Sequence, residues 1–494
     1  MSLLRRRKRP DDDAPQPPHT AEDDDKKGKS QKKSAKKKRR NSYSCVDNCC
    51  WLVGCICTTW WFLLFLYNTM PASFPQYLTE KITGALPDPP GVKCVKEGLE
   101  PKHPVVFVPG IVTGGLELWE GHECAEGLFR KRLWGGTFGE IYRRPSCWLQ
   151  HMSLDNETGL DPAGIRVRPV SGLVAADYFA PGYFVWAVLI ANLARVGYEE
   201  KNMYMAAYDW RLSFQNTEVR DRTLSRIKRN IELMVEINDG QKAVIIPHSM
   251  GVLYFLHFMK WVEAPAPMGG GGGSDWCAKH IKAVMNIGGP LLGAPKALSG
   301  LFSAEAKDVA FASGIKAISE YKAYTAGDLL DMLELPNAPD MEIYSLYGVG
   351  IPTERAYVYK LAPTAECYIP FQIDNTAGDT DEHVCLKDGV YTVDGDETVP
   401  ALSAGFMCAK GWRGKTRFNP SGIKTYIREY DHNPPSNFLE GRGTQSGAHV
   451  DIMGNFQLIE DVIRVAAGGS GEQLGGDRVY TDIFKWSDKI NIKL

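Results

Sequence analysis

Six short apolar runs, several of them separated by helical patterns, constrain the fold of this 494-residue chain more than any other feature. The helical pattern DRTLSRIKRNIELMVEIN (221–238) is one of the separating segments. Continuous apolar strands alternating with helices are typical of a parallel sheet covered on both faces. The sequence therefore predicts an α/β domain. The predicted strands are VVFVPG (105–110), NMYMAAYDW (202–210), KAVIIP (242–247), IKAVMNIGG (281–289), EIYSLYGVG (342–350) and KTYIREY (424–430).

The third run leads into a sharp corner, Pro-His-Ser-Met-Gly at 247–251, and then directly into an apolar helical pattern. In the nucleophile elbow, G-x-S-x-G, a strand, a tight turn and a helix expose a serine hydroxyl above a sheet. Here Pro247 replaces the first glycine, which is compatible with a strand exit because proline fixes φ and needs no donor. The context predicts Ser249 as a nucleophile; the alternative is a serine that caps an ordinary helix.

A nucleophilic serine needs a base that is held by a carboxylate, and in α/β-hydrolases the acid and then the histidine follow the serine in the chain. The segment YTVDGDETVP (391–400) offers acidic residues in a turn after a short apolar run. Asp396 is the predicted acid because it lies between the Gly395 turn and the start of a new element. Asp394 is the second choice, and an ordinary acidic turn is the alternative interpretation.

The predicted base is His449, which lies in the Gly/Ser-rich loop of GTQSGAHVDIMGN (443–455) just before an apolar helix. His432 and His383 are alternative bases, and a structural loop histidine is the alternative role. An oxyanion hole requires two backbone donors, one of them from the residue after the nucleophile. Position assigns these to Met250 and to Ile111, which follows the first strand, with a plain turn after that strand as the alternative.

The N-terminal region differs in composition from the rest of the chain. Its first 40 residues contain 15 Lys or Arg and 7 Asp or Glu, so we expect residues 1–47 to form a disordered basic tail. The 19 residues from Cys49 to Tyr67 carry no charge and have aromatic residues toward both ends, which predicts a transmembrane helix over 48–70. A cleaved signal peptide fits less well, because the charged leader is too long.

The positive-inside rule assigns the basic tail to the cytosol and all later residues to the lumenal side. We expect a linker over 71–104 and a lumenal catalytic domain over 105–494. The sequon at Asn156 agrees with a lumenal domain, and an oxidising lumen permits disulfides among the seven cysteines that follow the predicted span. No cysteine or histidine spacing indicates a metal site, and nothing indicates a cofactor or nucleic acid binding. The run MGGGGGS (268–274) predicts a flexible loop.

Seven motifs carry a resemblance to a known family: VVFVPGI, CWLQHMSLDNETG, AAYDWRLS, PHSMGVLYFLHF, EIYSLYGVGIPTERAYVY, DGDETVP and GTQSGAHVDIMGN. Together they resemble the lecithin:cholesterol acyltransferase family, most closely its plant phospholipid:diacylglycerol acyltransferase branch. The resemblance implies an α/β-hydrolase core with a cap and a mobile lid, without a cofactor, in the endoplasmic reticulum membrane. It also implies that a serine takes the sn-2 acyl group of a phospholipid and passes it to diacylglycerol.

The resemblance also carries roles to individual residues. It implies the triad Ser249, Asp396 and His449 with Ile111 and Met250 at the oxyanion hole. A disulfide between Cys124 and Cys147 would close the lid loop, and Trp148 beside it would contact the acyl lipid. Asp209 and Arg211 of the YDWR motif are expected to stabilise the fold by ion pairing.

Two departures from the family pattern affect these expectations. Ser345 stands where sterol-type relatives have a cysteine, so Cys408 either pairs elsewhere, as with Cys385, or stays free. The cap region at 295–342 is far shorter than in the family, as if residues were deleted just after Val309. Two alternatives to the acyltransferase therefore stay open: a membrane-anchored phospholipase that uses water, and an inactive regulatory membrane protein.

Overall fold

The computed structural model describes residues 51–62, 88–136, 139–180, 183–303, 332–361, 371–378, 385–435 and 443–492. The chain divides into two compact units, Met1–Gly84 and Ala85–Leu494. In the first unit, residues 51–62 are helical and exposed. Across the described ranges, no helix is both long enough and apolar enough to cross a membrane. The predicted basic tail at 1–47 and the remainder of the predicted span at 48–70 lie outside the described residues.

The second unit contains sixteen described strands, numbered here in chain order. The bounds are β1 Val105–Val108, β2 Leu116–Glu120, β3 Arg132–Trp134, β4 Arg166–Pro169, β5 Tyr178–Ala180, β6 Tyr183–Phe184, β7 Met203–Met205, β8 Ala243–Pro247, β9 Ile281–Ile287, β10 Glu342–Val349, β11 Ile351–Tyr357, β12 Tyr359–Leu361, β13 Phe371–Ile373, β14 Leu386–Lys387, β15 Val390–Gly395 and β16 Lys424–Asp431. The α-helices described in this unit are Pro90–Lys96, Gly139–Arg143, Pro145–Met152, Ala187–Val196, Phe214–Asp221, Thr223–Ile237, Met250–Glu263, Trp276–His280, Pro295–Ser303, Ala401–Phe406, Phe456–Ala466 and Ile483–Asp488.

A six-stranded sheet in the order β16-β10-β9-β8-β1-β7 forms the centre of the second unit. All its neighbouring strands run parallel. These six strands are the six apolar runs of the sequence, so the prediction of a parallel α/β sheet is confirmed. Strand β7 is shorter than the run that predicted it, because Tyr208 and Trp210 leave the strand and pack into the core.

Helices cover both faces of the central sheet, as the unbroken apolar character of its strands requires. On one face, Ile227 and Ile231 of helix Thr223–Ile237 lie in the same core as Phe255 of helix Met250–Glu263. On the other face, Leu193 of helix Ala187–Val196 and Leu458 of helix Phe456–Ala466 lie together in a second core. The result is a three-layer arrangement of helices, sheet and helices, and the candidate functional site lies at the edge where the parallel strands end.

Small antiparallel sheets are added around this core. Strands β2, β3 and β4 form one of them, and β11, β15 and β14 form another. The helix Pro90–Lys96 lies within the predicted linker at 71–104 but packs on the second unit. Its Cys94 is fully buried, and its Gly91 amide donates to Asn192 Oδ1 at 2.9 Å. The later part of the predicted linker therefore belongs to the compact unit, because one face of its helix, with Pro90, Gly91 and Cys94, is buried there.

The glycine-rich run at 268–274 differs from the predicted flexible loop, since it is fastened to the end of helix Met250–Glu263. Gly270 and Gly272 donate backbone hydrogen bonds to Trp261 O and Val262 O at 2.7 and 2.8 Å. A Cβ added to either glycine would lie 2.7 Å from a tryptophan ring carbon. The glycines therefore permit close packing against tryptophan.

The YDWR motif lies in a buried network of three arginines and three aspartates. Arg211 donates to Asp209 through Nε at 3.0 Å and Nη2 at 2.6 Å, and both side chains are almost fully buried. Although burial opposes the charged form, Arg211 and Arg220 hold the pKa of Asp209 well below its ordinary value. Arg211 also donates to the backbone oxygens of His151 and Met152, which ties the motif to the helix Pro145–Met152. The network consists of Arg168, Arg211, Arg220, Asp161, Asp209 and Asp221.

Candidate active site

Ser249 occupies a strained corner between β8 and the helix Met250–Glu263. Its backbone has φ 56° and ψ −127°, a region that non-glycine residues rarely adopt. Main-chain hydrogen bonds fix the corner, from the His248 amide to Val108 O at 3.0 Å and from the Ser249 amide to Ile287 O at 2.9 Å. A Cβ on Gly251 would lie 2.4 Å from Val108 O, so only glycine fits there. This is the geometry of a nucleophile elbow.

Ser249, His449 and Asp396 form a continuous hydrogen-bonded chain. The Ser249 Oγ lies 2.9 Å from His449 Nε2, and His449 Nδ1 lies 2.7 Å from Asp396 Oδ2. All three side chains are buried. The structure therefore brings together, from positions up to 200 residues apart, the three residues that the sequence predicted as a triad. Such a chain can move a proton from the serine hydroxyl to the imidazole when the oxygen attacks a carbonyl.

The Asp396 carboxylate is oriented from both sides. Its Oδ1 accepts hydrogen bonds from the Thr398 and Val399 amides at 3.0 and 2.6 Å. Its Oδ2 is left to accept from His449, so the imidazole carries its proton on Nδ1 and presents Nε2 to the serine. The backbone strengthens the contact, since the His449 amide donates to Asp396 O at 2.9 Å. The acid directly follows β15, which belongs to a small antiparallel sheet.

The loop after β1 lies against the nucleophile. A Cβ on Gly110 would lie 2.8 Å from Ser249 Cβ and 3.3 Å from its Oγ. Among the described residues, the amides of Ile111 and Met250 have no hydrogen-bond acceptor. The indole of Trp134 donates to Val112 O at 2.7 Å, which holds this loop in place. Two free donors near a nucleophile are the elements of an oxyanion hole, and that role for Ile111 and Met250 stays a prediction.

His248, which precedes the nucleophile, is fully buried and contacts the base. Its Nε2 lies 2.8 Å from the backbone oxygen of His449, and the two rings lie 5.0 Å apart between centroids. Burial, and then the neighbouring His449, lower the pKa of His248 to about 3. This histidine is therefore neutral at physiological pH. No sequence signal singled it out, because its contact joins segments that are 201 residues apart.

The alternative acid and bases have other contacts. Asp394 Oδ1 accepts from the Gly350 amide at 2.6 Å. His432 Nδ1 accepts from the Gly447 amide at 3.2 Å and so supports the loop that carries His449. His383 lies outside the described residues. Asp394 and His432 thus stabilise the backbone around the triad.

Cys124 and Cys147 form a disulfide with Cα atoms 6.1 Å apart, as the family resemblance implied. Trp148 is buried beside it, and its indole donates to Leu133 O at 2.8 Å. Its contact with an acyl lipid stays a prediction. The two cysteines and His151 lie close enough for a metal, but both sulfurs are committed to the disulfide.

The remaining predicted residues occupy separate places. Asn156 is exposed in a turn whose Thr158 amide and hydroxyl both donate to Asp155, so the sequon is accessible. Cys408 is a buried free thiol, and burial raises its pKa to about 12. Cys385 is exposed and also free. Of the two outcomes left open for Cys408, the structure has the unpaired one.

Several known proteins are similar to this chain over most of its length. The family model for lecithin:cholesterol acyltransferase matches residues 128–333 and 330–456. Phospholipid:diacylglycerol acyltransferase 1 of Arabidopsis thaliana is 57% identical, covering 92% of this chain and 93% of the relative. The putative phospholipid:diacylglycerol acyltransferase 2 of the same plant is 45% identical, covering 91% and 94%. The phospholipid:diacylglycerol acyltransferase of Schizosaccharomyces pombe is 33% identical, covering 81% and 78%.

The alignment with the first of these relatives is longer than the chain. The alignment has 625 positions and this chain has 494 residues, so at least 131 aligned positions have no residue in this chain. The two parts of the family match meet at residues 330–333, inside the predicted short region at 295–342. Residues 304–331 lie outside the described ranges.

Proposed function

Since the chain belongs to the lecithin:cholesterol acyltransferase family, we propose that it is a phospholipid:diacylglycerol acyltransferase. Its substrates would be a phospholipid donor and a diacylglycerol acceptor, and its products triacylglycerol and a lysophospholipid. The observation that carries the proposal is the hydrogen-bonded chain from Ser249 through His449 to Asp396 at a strained elbow. The names of the relatives at 57% and 33% identity support the substrate assignment.

The first half-reaction forms an ester on the enzyme. Ser249 Oγ attacks the carbonyl carbon of the sn-2 ester while His449 Nε2 takes the hydroxyl proton. The amides of Ile111 and Met250 donate hydrogen bonds that stabilise the negative charge developing on the carbonyl oxygen. The tetrahedral intermediate then collapses, the bond to the glycerol oxygen breaks, and His449 returns its proton to that oxygen. The lysophospholipid leaves, and the acyl group remains on Ser249.

The second half-reaction reverses these roles with a different alcohol. The free hydroxyl of diacylglycerol gives its proton to His449 as its oxygen attacks the acyl-enzyme carbonyl. Collapse of the second intermediate expels Ser249, which regains the proton from His449. The buried Asp396 stabilises the imidazolium that forms in each half.

We further propose that the catalytic unit works on a membrane of the endoplasmic reticulum from its lumenal side. The support is the uncharged run from Cys49 to Tyr67 behind a basic tail of net charge +8. A disulfide between Cys124 and Cys147 and an exposed sequon at Asn156 are compatible with a lumenal domain. The cap and mobile lid of the family belong to the same proposal.

The test uses microsomes from a host without this activity that expresses the full chain, supplied with phosphatidylcholine labelled in its sn-2 acyl group. The proposal expects label in triacylglycerol, its loss in Ser249→Ala, and its retention in Ser403→Ala. Ser403 is a matched control because it also lies in an S-x-G sequence and is buried, but its hydroxyl bonds to Gly293 O. Turnover that persists in Ser249→Ala would refute the assignment of the nucleophile.

A hydrolase is the second candidate function, and the alignment with the plant relative supports it as an alternative. At least 131 aligned positions of the plant relative are missing here, and exclusion of water depends on parts that close over the site. Label that appears as free fatty acid would support a phospholipase. No turnover at all would support an inactive regulatory protein.

A further inference from the structure

His248 connects the two segments whose relative position matters for the proposed reaction, the elbow and the loop that carries His449. Its backbone belongs to the elbow, where its amide bonds to Val108 O and the residue bridges to Ile287 of β9. Its side chain reaches the backbone oxygen of His449, on a loop 201 residues later in the chain. The ring is fully buried and meets the Trp186 ring edge to face, with centroids 6.3 Å apart.

The direction of this hydrogen bond follows from its acceptor. A carbonyl oxygen only accepts, so the Nε2 of His248 carries the proton. The ring stays neutral because burial, and next the adjacent His449, lower its pKa to about 3. His248 is therefore a neutral, fixed donor at physiological pH. It does not exchange protons with the reaction.

Besides its hydrogen bond to the Ser249 hydroxyl, His449 has three contacts that define where the base lies. Asp396 holds the His449 ring through Nδ1 at 2.7 Å and the His449 amide through its backbone oxygen at 2.9 Å. His248 holds the remaining backbone polar group, the carbonyl oxygen, at 2.8 Å. Only the third contact starts from the residue next to the nucleophile. It therefore couples the position of the base directly to the position of Ser249.

We propose that His248 is a positioning residue, whose Nε2–H to carbonyl bond fixes the distance between His449 Nε2 and Ser249 Oγ. The alternative is a core histidine that contributes only to folding. The inference rests on the proposed function, because it assumes that Ser249 and His449 are the nucleophile and the base. Misplacement of such groups by about 1 Å costs about a hundredfold in rate.

The test measures labelling of the full chain by a serine-reactive fluorophosphonate, with the rate constant and the final amplitude recorded separately. The rate constant reports activation of Ser249, whereas the amplitude reports the folded fraction. His248→Phe keeps a ring but removes the donor, and His248→Gln places an amide N–H near the position of Nε2. Labelling that is absent in Ser249→Ala shows that the probe reports Ser249.

His103→Phe is the matched control. His103 is also buried, and its Nδ1 lies 2.8 Å from the backbone oxygen of Lys242. It precedes β1 and Lys242 precedes β8, so this bond lies at the amino end of the strands, opposite to the triad. Its loss removes the same type of hydrogen bond without touching the base.

We expect the labelling rate constant to fall about ten- to a hundredfold in His248→Phe and to recover at least partly in His248→Gln. His103→Phe should lower the thermal midpoint while its folded fraction labels at the wild-type rate. A wild-type rate constant in folded His248→Phe would overturn the positioning role. Labelling that persists in Ser249→Ala would instead overturn the proposed function.

Discussion

Replacement of Gly110 by alanine tests, with a single methyl group, the predicted oxyanion role of the loop after β1. The added Cβ would lie 2.8 Å from Ser249 Cβ and 3.0 Å from His248 O. Gly110 has no positive φ, so alanine adds no backbone strain. Any effect therefore comes from the steric contact between the loop after β1 and the nucleophile.

The size of the effect follows from these distances. Carbon atoms pack best at about 3.5–4.0 Å, so the two segments must separate by about 1 Å. The pairing of Val108 with Pro247 fixes the strands behind them, and the displacement falls on the loop that carries Ile111. Loss of one oxyanion donor costs about 10²- to 10³-fold in kcat, and overpacking costs about 1–3 kcal/mol of stability.

The assay is the steady-state rate of acyl release from labelled phosphatidylcholine, with the denaturation midpoint measured in parallel. Gly114→Ala is the control in the same loop, because its nearest atom would lie at an ordinary 3.8 Å. Equal kcat values for the two variants, both folded, would refute the assignment of this loop to the reaction.

Three further predictions concern the acid, the ion network and the disulfide. Asp396→Asn should lower kcat about 10⁴-fold by favouring the wrong imidazole tautomer, whereas Asp394→Asn, whose oxygen still accepts from Gly350, should stay near wild type in the same assay. Arg211→Met should cost about 3–5 kcal/mol in a denaturant titration, because Asp209 is left as a buried charge with one fewer partner. The pKa of Asp209 is lower in the folded protein than its unfolded value of about 3.9, so its ionised carboxylate stabilises the fold above about pH 4, and this stabilisation is lost as the pH falls. Arg211→Met should therefore lose less stability than wild type on acidification below about pH 4. Cys147→Ser should cost about 3 kcal/mol by loop entropy, and an unchanged midpoint would contradict this.

Local patterns predicted the elements of the fold that are specified locally. The strand residues Ala243–Pro247 are apolar on both faces, and the helix that follows Ser249 begins at Met250, where the pattern placed it. Asp396 and His449 could be selected because chain order and turn context narrow the choice. Their contact, at 2.7 Å, depends on the packing of distant segments and needed the structure.

Other features have no local signal. The strand before Asp396 looks like any short apolar run, and its place in an antiparallel sheet with β11 is set by pairing with a distant segment of the chain. The glycines at 268–274 predicted a flexible loop, whereas close contacts of Gly270 with Trp261 and of Gly272 with Trp276 explain two of them. His248 lies in the Pro-His-Ser-Met-Gly motif at 247–251, but only the fold reveals that its ring reaches the His449 backbone.

The central claim is that Ser249 carries the acyl group between two alcohols. Full-length chain is mixed with phosphatidylcholine labelled in its sn-2 acyl group, quenched rapidly without acceptor, digested and mapped by mass spectrometry. The account predicts an ester on the peptide that contains Ser249, which is discharged into triacylglycerol when diacylglycerol is added. Triacylglycerol formed with the acyl group on another residue, or with none on Ser249 at any quench time, would contradict it.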